Sequence, residues 1–140
     1  MIYQHTWEWV IDKSPHTGEP KTQTRRLATG APRIIINGET FQVESVGQWK
    51  VGKSYAVQPG RGKHAVGRIT ILRLWAEDAR EISDVDVRAE GYADKIDFMR
   101  VWVKMHDLTL HRQEYWGLES AKERPEYFYK SWAIEFEREK

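Results

Sequence analysis

The sequence contains no cysteine, which excludes disulfide bonds and thiolate metal sites and permits a reducing compartment. It also lacks any apolar run near the roughly 18 residues that a membrane-spanning helix needs. The first residues do not follow the pattern of a signal peptide. These absences predict a cytoplasmic protein with no membrane partner.

An excess of charge of one sign is also missing. The chain has 22 basic and 21 acidic side chains, and a net charge of +1 argues against a protein that coats long nucleic acid. A small site for a nucleotide or a short RNA stays open, because local charge can differ from the total. The 140 residues, of which 40% are hydrophobic, predict a single globular domain spanning 1–140.

Two common types of catalytic site are absent as well. No Gly-x-Ser-x-Gly elbow occurs, and the five histidines show no metal-ligand spacing backed by carboxylates. We therefore expect neither a metal nor a cofactor.

Strand patterns separated by short turns dominate the sequence. In Arg33–Val46, an Asn37-Gly38 turn between apolar runs predicts a hairpin. Four further stretches read as strands, the last with a polar outer face: Ile2–Thr6, Ser54–Gln58, Ala65–Trp75 and Tyr127–Glu137. Because short turns join antiparallel strands, the predicted fold is α+β, a small, mostly antiparallel β-barrel with two or three flanking helices.

Three segments predict helices. Trp7–Lys13 has apolar residues at helical spacing, and Ser83 is a candidate N-cap for a helix that stops near Gly91. Asp94 would cap the next helix. The predicted apolar face of that helix comprises Ile96, Met99 and Val103, widened by Phe98, Trp102 and Met105. The polar and aromatic segment Leu108–Arg124 is expected to shape a pocket or form a lid.

The most informative stretch is the nine residues Gly18-Glu19-Pro20-Lys21-Thr22-Gln23-Thr24-Arg25-Arg26. Its three cations and three uncharged hydrogen-bonding side chains follow a turn, and together they suit an anion or a carbonyl oxygen. The Thr24 hydroxyl lies three residues from the Lys21 amine, which could activate it if the backbone is helical or tightly turned. A solvated basic turn is the alternative interpretation.

The pattern Gly18-x-x-Lys21-x-x-Thr24-x-Arg26 resembles the signature of the ASCH domain family, small β-barrels related to the PUA fold. In this chain the glycine stands one residue further from the lysine than in the usual pattern. Gly52-Lys53-x-Tyr55 and Ala89-Glu90-Gly91-Tyr92 match further pieces in the same order. The resemblance covers residues 6–102 and implies a single ASCH/PUA-like domain.

Some bacterial members of that family are amidohydrolases that deacylate N(4)-acetylcytidine and related cytosines with a Thr, Lys and Glu triad. By position, the resemblance implies Thr24 as nucleophile, Lys21 as general base and Glu90 as their carboxylate partner. The implied substrate is a small modified nucleoside or base. Other relatives bind or cleave RNA, so an RNA-binding module and a ribonuclease are the alternative functions.

The surrounding residues have expected roles of their own. Of the two arginines, one is expected to pair with an acid, and Arg26, which matches the motif, is expected to hold the oxyanion or the substrate carbonyl. Nearby arginines and desolvation would lower the pKa of Lys21. The candidate substrate-binding residues are Arg25, Arg26, Tyr92 and Tyr115, with Trp116 as a further stacking candidate. Core packing is the more common role for Tyr92 and Trp102.

Overall fold

The computed structural model describes residues 6–27, 31–60, 62–105 and 130–139. The strands are β1 (Gln23–Leu27), β2 (Pro32–Asn37), β3 (Thr40–Val46), β4 (Trp49–Lys50), β5 (Ser54–Val57), β6 (Gly67–Asp78) and β7 (Lys130–Arg138). The helices in this part of the chain are α1 (Trp7–Ile11), α2 (Asp84–Ala89) and α3 (Lys95–Met105), with a short 3₁₀ turn at Ala79–Glu81.

The strands form two antiparallel sheets, with orders β1-β7-β6-β5 and β2-β3-β4. The predicted α+β class, with mostly antiparallel strands and flanking helices, is confirmed. Among the described residues, the strand ladders do not link the two sheets into a closed ring. In the same ranges, no helix is long and apolar enough to cross a membrane.

Local signals for turns and caps are confirmed. Asn37 pairs with Thr40 across the hairpin turn, where Gly38 has a φ of 66°, a conformation that glycine adopts without strain. The Ser83 hydroxyl accepts a hydrogen bond from the backbone of Asp86 and caps α2. The Asp94 carboxylate does the same at the start of α3.

The apolar face predicted for α3 is confirmed for Phe98, Met99, Trp102 and Val103, which are buried in the core or pack against it, and is wrong for Ile96. The helix buries Phe98 and Trp102, which are one helical turn apart, whereas Ile96 is 65% exposed. Aromatic rings remove more apolar surface from water than aliphatic side chains do, so they determine which face of the helix points inward.

The polar outer face predicted for Tyr127–Glu137 is confirmed at Glu135 and Glu137, which are half-buried and exposed, and is wrong at Ser131 and Ala133. β7 lies in the sheet between β1 and β6, and the small side chains of Ser131 and Ala133 are buried on that face. Arg25 and Trp75 are the cross-strand neighbours of Ala133 and lie on the same face. The predictions for residues 2–5, 108–124 and 127–129, including those for Tyr115 and Trp116, fall outside the described residues.

Two apolar clusters form the core. The first packs α1 against the sheets, with Val10 buried as the spacing in Trp7–Lys13 predicts. Its other buried members are Val46, Trp49, Tyr55, Val57, Ile69, Ile71, Leu74, Ile134 and Phe136. The second cluster comes from the 3₁₀ turn, α2, α3 and the residues between them: Ala79, Ile82, Val87, Tyr92, Phe98 and Trp102.

Candidate functional site

The basic motif is tied to three separate elements by its backbone. The amide of Lys21 donates to the carbonyl of Trp9, and the amide of Thr22 donates to that of Ala89 at the end of α2. The carbonyl of Thr22 accepts from Phe136 of β7. The segment leading into β1 is therefore held by α1, α2 and β7 together.

The helical or tight-turn backbone predicted between Lys21 and Thr24 is wrong. Lys21 precedes β1, and Thr24 is the second residue of that extended strand. The ladder with β7 accounts for this difference, because Thr24 pairs with Ile134 in a partner strand more than a hundred residues away. The two side chains nevertheless line one small cavity.

Burial excludes the interpretation of the motif as a solvated basic turn. Only 1% to 3% of Lys21, Thr24 and Arg25 is exposed. Glu90, which follows α2, is also buried and is not a surface carboxylate. Charged groups are rarely buried unless they are paired, so these residues form a buried polar cluster inside the protein.

The structure brings Lys21 and Glu90 together. The Lys21 ammonium (Nζ) lies 3.3 Å from Glu90 Oε1 and donates a hydrogen bond of 3.3 Å to the hydroxyl of Thr6. Burial lowers the pKa of Lys21 below its usual 10.5, Glu90 opposes this shift, and Arg26 and Arg25 add to it. The net lowering agrees with the shift expected from the sequence and favours the neutral amine that a general base requires.

Arg25 is the arginine that pairs with acids. Its guanidinium lies 2.8 Å from Glu77 Oε1, 3.1 Å from Glu90 Oε2 and 3.4 Å from Asp86 Oδ2. A planar guanidinium presents its donors in a fixed arrangement. Arg25 therefore fixes one oxygen of Glu90, while the other oxygen faces Lys21.

Arg26 has a different environment. It is half-buried and forms no ion pair or side-chain hydrogen bond with any residue in the described ranges. Because side chains alternate along a strand, it points to the same face of β1 as Thr24. Burial lowers the pKa of Arg26, but a guanidinium stays protonated in proteins. Arg26 is thus a cation available to an oxyanion beside the threonine.

Tyr92 and Trp102 are buried in the second apolar cluster, which confirms core packing for both. They also line the cavity beside Lys21. The ring of Tyr92 meets those of Trp9 and Phe98 at centroid distances of 5.3 and 6.0 Å. Burial and the charge of Glu90 raise its pKa from 10.0 to about 12. Tyr92 is a neutral hydroxyl-bearing wall of the site.

Three residues of the cluster were not predicted as site residues. Thr6 accepts the hydrogen bond from Lys21, and Glu77 and Asp86 pair with Arg25. None of the three has a local sequence signal for its contact, because each partner is distant in the chain.

The cavity between Lys21, Thr24 and Glu90 has a volume of about 20 Å³, enough for about one water molecule. A much larger cleft, of about 670 Å³, lies elsewhere, between the β2–β3 hairpin and β6. We assign the chemistry to the small cavity, because the hydroxyl, the amine with lowered pKa and the carboxylate are there.

Within residues 6–27, 31–60, 62–105 and 130–139, no group of three or more His, Cys, Asp or Glu side chains has a geometry that could hold a metal ion. Comparisons of the chain with models of known protein families, with curated proteins and with solved structures found no match.

Proposed function

We propose that the protein is an ASCH-type amidohydrolase that removes the acyl group from N(4)-acylated cytosines or cytidines in the cytoplasm, without a metal. The observation that supports this most is the buried Lys21–Glu90 pair, which lines a water-sized cavity together with Thr24. A hydroxyl, a base and a carboxylate around room for one water are the groups that stepwise acyl transfer requires.

In the first half of the reaction, Thr24 Oγ1 bonds to the carbonyl carbon of the substrate amide. Lys21 Nζ accepts the proton of the hydroxyl, while Glu90 aligns the resulting ammonium. Arg26 stabilises the negative charge on the carbonyl oxygen, an effect worth on the order of 3 kcal/mol in comparable sites. The carbon–nitrogen bond then breaks, the amine leaves with the proton from Lys21, and an acyl ester on Thr24 remains.

In the second half, water resolves the ester. Lys21 accepts a proton from the water as its oxygen bonds to the ester carbon. The bond from carbon to Thr24 Oγ1 breaks, and Oγ1 takes the proton back from Lys21. The products are a carboxylic acid, which ionises at neutral pH, and the restored hydroxyl.

RNA binding and RNA cleavage are less well supported by this geometry. A phosphate-binding patch needs accessible cations, but Lys21 and Arg25 are buried and the guanidinium of Arg25 already meets three carboxylates. Arg26 is the one cation of the motif that is half-exposed and has no partner among the described residues.

The test is hydrolysis of N(4)-acetylcytidine, followed by its ultraviolet spectrum. Thr24→Val and Lys21→Met keep the side-chain volumes similar, and each should lower kcat/KM by about 10³-fold or more, because the nucleophile or its base is removed. Thr24→Ser should keep measurable activity. Lys63→Met, at an exposed lysine outside the cluster, is the matched control and should match the wild type.

Circular dichroism and urea unfolding show whether each variant is folded. An intact substrate after incubation with folded wild-type protein would refute the proposal for this substrate, and so would a fully active Thr24→Val. Filter binding to RNA at two salt concentrations separates the alternatives. Steeply salt-dependent RNA affinity without deacylation would favour an RNA-binding module, and Lys21-dependent cleavage of labelled RNA with metal chelated would favour a ribonuclease.

A further inference from the structure

The larger cleft lies along an open edge of β6. β5 pairs with β6 only from Gly67 to Thr70, so the next residues, 72–76, have no strand partner on that side within the described residues. The β2–β3 hairpin faces this edge across the cleft. The walls are mainly apolar and include Ile34, Phe41, Val43, Leu74, Ala76 and Trp132.

The cleft begins beside Arg26. In the main sheet Arg26 pairs with Trp132, and Trp132 pairs with Ala76. Directly paired residues of antiparallel strands point to the same face, so the three side chains form one row. Trp132 and Ala76 line the cleft, and Arg26 is the next side chain in the row. Thr24 lies two residues from Arg26 on that face.

Size and charge restrict what the cleft can hold. Its volume of about 670 Å³ is within the range of roughly 300–1,000 Å³ typical of small-molecule sites. Arg73 is the only charged residue among the described residues that line it, and it is paired with Glu135 at 3.5 Å. Arg26, next to Trp132, has no ion-pair partner in the described ranges and supplies the positive charge. An apolar group that ends in a carbonyl or a carboxylate complements these walls, whereas a cation does not.

We propose that this cleft is the acyl subsite of the enzyme and that it takes a large apolar acyl group, such as an aromatic ring. The inference rests on the proposed function and specifies its substrate class. With the ring against Trp132, the carbonyl oxygen lies toward Arg26 and its carbon toward Thr24. Hydrolysis of the ester then leaves the matching carboxylate beside Arg26.

The first test compares N(4)-benzoylcytosine with N(4)-acetylcytosine on the full chain. The wild type should favour the benzoyl compound by about tenfold or more in kcat/KM, a common effect of filling an apolar pocket. Ala76→Phe narrows the cleft and should lower the benzoyl-to-acetyl ratio by about tenfold. Ala65→Phe adds the same ring at an exposed residue outside the cleft and should leave the ratio unchanged. An equal ratio in all three proteins overturns the inference.

A binding experiment separates this inference from the proposed function. Benzoate should quench indole fluorescence saturably, because Trp75 and Trp132 line the cleft. Benzylamine should bind more weakly, because Arg26 beside Trp132 is positively charged. Ala76→Phe should weaken benzoate binding, and Ala65→Phe should not. If benzoate binds in this way but neither amide is hydrolysed, the proposed function fails and the cleft stands as an aryl-carboxylate site. If both amides are hydrolysed but benzoate does not bind, the acyl subsite is refuted and the amidohydrolase stands.

Discussion

At the scale of single residues, the buried pair of Lys21 and Glu90 is central both to the proposed chemistry and to stability. Glu90 is buried between Lys21 and the guanidinium of Arg25, and removal of a partner from a buried charge pair typically costs about 3–5 kcal/mol. Glu90→Gln should therefore lower the free energy of unfolding by about 3 kcal/mol in urea titrations at pH 7. Asp97→Asn breaks an exposed pair with Arg100 and should change it by less than about 0.5 kcal/mol. Similar losses in the two variants would contradict a paired, buried Glu90.

The raised pKa of Tyr92 determines how this residue affects stability at alkaline pH. Its pKa is raised from 10.0 to about 12 in the folded protein, so between these values the unfolded chain loses a proton that the folded chain keeps. Stability then falls as pH rises from 10 to 12. Tyr92→Phe should reduce this fall by about 1 kcal/mol, measured by urea unfolding at pH 9 and pH 11.5. An identical pH dependence in both proteins would show that Tyr92 titrates normally.

Site residues could be predicted from the sequence when they are neighbours in the chain or match a family pattern. Lys21, Thr24 and Arg26 stand together in the sequence, and Glu90 was placed by a family resemblance. The partners of Arg25 could not be found in this way, because its bonds to Glu77 and Asp86 join residues 52 and 61 positions apart. No local pattern encodes a contact of that kind.

At the scale of elements, the connection from α2 to Tyr92 is tightly constrained at Gly91. Its φ is 98°, and a Cβ there would lie 2.5 Å from the ring of Trp9. Gly91→Ala should therefore destabilise the protein by about 2 kcal/mol or more. It should also lower the proposed hydrolase activity, because it displaces the adjacent Glu90. Gly38→Ala is the matched control. It also has a positive φ, but its Cβ would meet open space, so about 1 kcal/mol is expected. Equal losses in urea unfolding would contradict the close approach to Trp9.

The predictions were correct for elements with strong local signals and less accurate for elements whose conformation depends on distant partners. The Asn37-Gly38 turn and the caps at Ser83 and Asp94 depend on neighbouring residues only, and all three are confirmed. The extended backbone at Thr24 and the buried outer face of β7 depend on sheet neighbours far away in the chain. Helix periodicity also could not show that Phe98 would be buried in preference to Ile96.

At the scale of the whole molecule, the candidate site lies between strand β1 and the second apolar cluster. β1 is an edge strand of the main sheet, and the side chain of Leu27 packs against the second cluster. Glu90 and Tyr92 reach the site from the α2–α3 side, and Thr24 reaches it from the sheet. The side chains of the candidate site are thus supported by packed elements on both sides, which limits their movement.

The place of β1 at the sheet edge has a consequence during synthesis of the chain. The strand partner of β1 within the described residues is β7, Lys130–Arg138. Thr24 therefore leaves the ribosome before its partner strand has been made. A growing chain can form the β2–β3 hairpin early, because its contacts are local, but β1 cannot pair until β7 has been made. The candidate site should therefore form only after β7 has been synthesised, and Lys21 and Glu90 stay solvated until then.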